Sequence, residues 1–199
     1  TDYLEPNVKY ARHALAIDEQ RSSFTPTLWT DPATKTPCEN SDRVKQLWFP
    51  GVHGDVGGGY FECGLSDIAL GWMIEEAAAK ELGFLKKMVD QLKPDPRGVL
   101  HNSVQGIFKA LRTRPRNIPC FSDKTFFHPS AIYRQKDPPI GQAPYHPTIR
   151  LASGKAETFQ VHSRERWNNT GLYLERGATY VFTAMGEWLD GKTPCGPGG

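Results

Sequence analysis

No apolar run in these 199 residues approaches the roughly 18 needed to cross a bilayer, which excludes an integral membrane helix in this segment. No charged and then apolar leader opens it either, so no signal peptide is expected. An excess of one charge is also missing. Twenty-four Lys and Arg stand against 22 Asp and Glu, a net charge of +2 that is too small to imply a nucleic-acid partner. Cys38, Cys63, Cys120 and Cys195 have no metal-type CxxC spacing, so zinc and redox motifs are not expected. Their even number leaves two disulfides and four free thiols both open.

Glycine and proline are abundant, at 19 and 16 residues, so loops and tight turns occupy much of the chain. Charge is uneven despite its balance. Residues 100–136 carry seven basic side chains against Asp123 alone, a basic island built around Lys109, Arg112, Arg114 and Arg116. Arg112, Arg114 and Arg116 are candidates for a phosphate or an anionic lipid headgroup, and the same cluster could simply face solvent.

Along the chain, apolar residues at Val8, Ala11 and Leu15 predict a helix over 7–19, and residues 25–43 read as a long polar loop. Val44 to Phe49 is a strand pattern stopped by Pro50-Gly51. The run Trp48-Phe49-Pro50-Gly51-Val52-His53-Gly54-Asp55-Val56-Gly57-Gly58-Gly59-Tyr60 then joins that strand to a loop holding five glycines, one His and one Asp. It lacks the Lys of a nucleotide phosphate loop. Gly57, Gly58 and Gly59 allow close backbone approach to a ligand or a nest of amides for an anion. His53 falls where open α/β sheets put catalytic side chains, just beyond a strand. The plainer alternative has His53 bonding a turn and Asp55 capping it.

A helix is predicted from Leu65 to Leu82, capped by Ser66 or Asp67 and ended by Gly83, with Trp72 and Met73 as packing residues. Residues 93–104 form a turn-rich link into a short helix over 105–112. His101 and Ser103, two apart with no third member, are a weak nucleophilic pair, and His128 precedes another short helix that Ser130 can cap. His101 and His128 are therefore alternative site histidines. The style changes near residue 137. Residues 137–156 read as a Pro/Gly-rich linker, and 157–199 as a β-rich accessory or lectin-like module with strands at 157–161, 171–175 and 179–184. Trp188 to Gly191 reads as a turn, and the Pro- and Gly-rich end is not expected to join a sheet.

Three segments carry a resemblance: Pro6 to Glu19, Trp48 to Tyr60, and Leu65 to Met73. In this order they resemble the T6SS phospholipase-like α/β-hydrolase family, with fainter agreement through Leu100-His101-Asn102-Ser103 and His128-Pro129-Ser130. The resemblance implies an α/β fold in which residues 1–136 are the C-terminal portion of an α/β-hydrolase-like catalytic domain, followed by the partial β-rich module. It implies hydrolysis of a carboxylic ester, in some members of a phospholipid, through Ser, Asp and His, with His53 as general base. The family's Ser and Asp lie upstream. No G-x-S-x-G frame surrounds Ser41, Ser66, Ser103, Ser130 or Ser153, so this chain alone is expected to be inert and its first partner is the upstream part of the same protein.

The same resemblance implies an ester or phospholipid substrate, peripheral contact with a membrane and a secreted bacterial effector. No cofactor is expected. Asp55 is given a supporting role, orienting the glycine loop or holding a cation. The tail from Trp167 to Asp190 resembles the opening of a galactose-binding-type β-sandwich. A non-catalytic carbohydrate- or anion-binding module is therefore the alternative function.

Overall fold

Ala11 and Leu15, four apart, share a face in a helix and in a strand alike, whereas Ile17, two further on, joins that face only in a strand. In the computed structural model, which describes residues 3–106, 113–114, 116–161, 168, 170–190 and 192–197, the strand prevails. The helix predicted over 7–19 is replaced by β1 (Ala11–Ala16), which pairs in parallel with β2 (Val44–Phe49), the strand expected from its pattern. The register runs from Ala11 opposite Val44 to Ala16 opposite Phe49, so every residue of β1 has a cross-strand partner. That tertiary pairing overrides the helical propensity of the alanines and leucine.

Both faces of this sheet are covered, as parallel pairing requires. Leu15, Ile17 and Trp48 pack on one side against Ile118, Phe121, Phe127, Ala131 and Tyr145. Phe49 points to the other side, into a cluster with Leu65, Ile68, Ala69 and Trp72. The second cluster is supplied by α2 (Gly64–Ala78), which follows the one-turn α1 (His53–Gly57). The outer edge of β2 is occupied by a parallel bridge between Trp48 and Phe127, with His128 N–H donating to the Trp48 carbonyl at 3.0 Å. No described strand pairs with the outer edge of β1.

Helix α2 departs from its expected limits. Its N-cap is Cys63 with no side-chain cap, so neither Ser66 nor Asp67 caps it. At its other end Glu81 N–H bonds the Ala78 carbonyl and Leu82 N–H bonds that of Ala77, a Schellman closure. The left-handed residue of that closure is Glu81, at φ 69°, and not Gly83. Trp72 is buried as expected, whereas Met73 is partly exposed. A short α3 (Lys86–Val89) follows. In α4 (Pro129–Lys136) the cap is His128, whose ring accepts from Ser130 N–H, so the residue expected to cap is the one that is capped. The helix expected over 105–112 falls mostly outside the described residues.

Two units are resolved, Thr1–Pro147 and Thr148–Gly199. The prolines of 138–147 belong to the first unit and do not act as a spacer there: Tyr145 is buried in its core and Gln142 accepts from the fully buried Arg134. In the second unit, residues 157–161 and 179–184 form no strand, and of 171–175 only Leu172 joins a bridge, with Ile149. Its strands are β3 (Trp188–Asp190) and β4 (Thr193–Cys195), antiparallel, where a turn and an unpaired tail are predicted. Val181 and Phe182 are largely exposed, so their β-propensity meets no surface on which a strand could bury them. All four cysteines are free thiols. Among the described residues no helix is long and apolar enough to cross a membrane.

Candidate active site

The parallel ladder of β1 and β2 continues past both strands, with Ile17 N–H on the Phe49 carbonyl and Asp18 N–H on that of Gly51, each at 3.0 Å. Asp18 and Glu19 therefore leave β1 beside the turn that carries His53 out of β2. This is the carboxyl end of the strands, where open α/β sheets bind ligands. Gly51 makes the turn at φ 113°, and a Cβ there would sit 2.4 Å from Asp55 Cβ. At Gly54 a Cβ would sit 2.7 Å from the Tyr60 ring. Of the triplet singled out from the sequence, only Gly58 has a positive φ, 78°, while Gly57 and Gly59 have ordinary space around them.

Three carboxylates anchor this loop. Asp18 Oδ2 accepts from Gly51 N–H at 2.7 Å and Tyr145 O–H at 2.9 Å, and its other oxygen lies 2.9 Å from His146 Nε2. Glu19, 1% exposed, accepts from His53 N–H at 3.1 Å, Ser103 O–H at 2.7 Å, and the backbone and guanidinium of Arg21. Burial by itself would raise the Glu19 pKa, but these donors outweigh it and bring it down to about 2. Asp55 is buried and accepts from Val52 N–H at 3.0 Å and His101 N–H at 3.1 Å, with His101 Nδ1 2.6 Å away.

His53 is the first residue of α1 and is exposed. Among the described residues its ring makes no hydrogen bond; it meets the Phe24 ring edge-on, centroids 5.0 Å apart. The ring borders a cleft of about 640 Å³, lined also by Val56, Leu70, Met73 and Arg116. The cleft runs along the outer edge of β1, where Ala14 and Ala16 line it.

The other site residues named from sequence have different places. His101 lies between Asp55 and Glu62, with Tyr60 stacked on its ring at 3.7 Å, so it ties the glycine loop to the 98–103 segment. His128 stacks on Phe49 at 4.5 Å, and burial lowers its pKa to about 4, which keeps it neutral as a cap. Arg116 donates to the carbonyls of Phe24 and Arg21 at 2.6 and 3.3 Å and so clamps the 21–25 turn. Arg114 N–H bonds the Gln20 carbonyl at 2.6 Å, and Arg112 lies outside the described residues. Asp55 has both oxygens engaged, one by Val52 N–H and His101 N–H and the other by the His101 ring. Among the described residues no group of three His, Cys, Asp or Glu side chains is placed to hold a metal.

Glu19, Arg21 and Phe24 were missed as site residues, and Ser103, named from sequence only as a weak partner of His101, instead donates to Glu19. Reading 7–19 as a helix hid the point at which Glu19 leaves a strand. Ser103 lies 84 positions from the carboxylate it meets, so local spacing carried no signal of it.

A parallel pair of strands with a helix packed on it is an α/β arrangement. Residues 1–76 match the family described as T6SS, Phospholipase effector Tle1-like, catalytic domain. The match ends within α2, covers β1, β2 and the His53 loop, and bears out the resemblance to a T6SS phospholipase-like family for that stretch. No curated protein and no solved structure matches the chain.

Proposed function

We propose that this chain supplies the general base of a serine carboxylic-ester hydrolase of the phospholipase or lipase kind, and that the base is His53. The observation carrying this reading is the His53 ring itself: it stands at the carboxyl end of two parallel strands, in a cleft, with no hydrogen bond to another described residue. The nucleophilic Ser and the triad Asp belong to sequence preceding residue 1. The outer edge of β1 supports this, because a two-stranded sheet is too small to stand alone and further parallel strands would align there.

In that assembly, His53 takes the proton of the serine hydroxyl as its oxygen attacks the ester carbonyl. It returns the proton to the alcohol as the carbon–oxygen bond breaks, then removes a proton from water, which attacks the acyl-enzyme and releases the acid. The apolar side chains of Val56, Leu70 and Met73 along the cleft suit an acyl group, which favours a lipid ester over a carbohydrate. Peripheral contact with a bilayer follows if the ester is a phospholipid, and secretion as an effector accords with the matched family's description.

The test is ester and phospholipid hydrolysis by the protein that includes the preceding sequence. Replacing His53→Ala should lower turnover by at least about 10³-fold while leaving the circular dichroism spectrum intact. Undiminished turnover in that variant would reject the assignment.

A further inference from the structure

Among the described residues no hydrogen bond holds the exposed ring of His53, yet its position is set from two directions. On the backbone side, His53 N–H donates to Glu19 Oε2 at 3.1 Å. On the ring side, the edge of Phe24 packs against the imidazole at 64°. Phe24 is itself fixed. The Arg21 guanidinium lies over its ring, 3.8 Å from the centroid. Arg21 is in turn gripped by Glu19, with its Nε 2.9 Å from Oε1 and a terminal nitrogen 2.7 Å from Oε2. Both routes begin at one carboxylate.

We propose that Glu19 is a positioning residue for His53, setting its backbone directly through the His53 N–H and its ring through Arg21 and Phe24. This rests on the reading of His53 as a general base. An imidazole on an exposed first helical residue would otherwise turn among rotamers, and a base displaced by about 1 Å can lose ~100-fold in rate. Glu19 is not the carboxylate that the ring itself would use. Five donors already converge on its two oxygens, Arg21 N–H, the two guanidinium nitrogens, Ser103 O–H and His53 N–H, against about four lone-pair sites. Both ring nitrogens are therefore left for the nucleophile and a separate acid. Ser103 O–H bonds the same carboxylate and so brings a segment distant in sequence onto this loop.

The experiment is ¹H–¹³C correlation of the imidazole signals in the protein that includes the preceding sequence, with His53 assigned by its loss in His53→Ala. In the unaltered chain its ring protons should carry the ring-current displacement of Phe24. Glu19→Gln and Phe24→Leu should each move them toward free-histidine positions, while the His128 signals stay in place. A His53 signal that moves in Phe24→Leu but not in Glu19→Gln overturns the proposal, as does one that moves in neither. Should Glu19→Gln fail to fold, Arg21→Lys retains the charge and removes the fork, and it too must move the His53 signal; an unmoved signal overturns the proposal. In the hydrolysis assay above, Glu19→Gln should lower kcat about 10- to 100-fold with KM unchanged. If His53→Ala leaves turnover intact, the hydrolase reading fails, and the imidazole signals still decide whether Glu19 positions His53.

Discussion

Acid should loosen the His53 loop through Glu19, and the size of the effect follows from its surroundings. The carboxyl is held at about 2 in the folded chain, against 4.5 for the free group. A depressed folded pKa contributes stability that is fully present above the unfolded value and is lost as pH falls through 4.5 toward 2, because the unfolded chain then binds the proton more readily. A difference of 2.5 units is worth roughly 3 kcal/mol. Glu19→Gln cannot titrate and is therefore the reference. Urea unfolding of both proteins, followed by tryptophan fluorescence, should give a stability gap of about 3 kcal/mol between pH 7 and pH 5. The gap should narrow below about pH 4.5 and nearly close by about pH 2. Every other carboxyl is common to the two proteins and cancels in the difference. A gap that stays constant across this range would refute the account of Glu19 as a buried, ionised anchor.

Two further substitutions test the local backbone. Gly51→Ala places a Cβ against that of Asp55 at a φ that side chains resist, and should destabilise the chain by about 3 kcal/mol in the same urea assay; a loss under ~1 kcal/mol would mean that the turn is not so constrained. Glu81→Gly relieves the left-handed residue that closes α2 and should stabilise by about 0.5–1 kcal/mol, whereas a loss of stability would show that the Glu81 side chain contributes more than its backbone strain costs.

What could be read locally was read well. Val44 to Phe49 opens on a β-branched residue, ends in the apolar run Leu47-Trp48-Phe49 and is bounded by Pro50-Gly51, so β2 was legible to the residue. The apolar repeat of α2 was legible as well, but not its end. A Schellman closure is a matter of backbone bonds, and here Glu81 makes it two residues before the glycine that composition favours. The β1 segment was misread because a spacing of four satisfies both helix and strand. Only its neighbour β2 breaks that tie.

The candidate site divides in the same way. His53 beyond its strand, and the need for glycine around it, are properties of contiguous sequence, since a strand end and a tight turn are set by residues in succession. The partners of those residues are not. Glu19 meets His53 and Ser103, Asp55 meets His101, and Phe24 meets the His53 ring across gaps of 29 to 84 positions. Buried carboxylates must collect donors from wherever the fold delivers them, and that delivery is a tertiary event. The sequence alone determined that His53 stands just beyond a strand, in a glycine-rich turn. The tertiary structure decided what holds it there, because hydrogen bonds and ring packing depend on proximity in space and not on order along the chain.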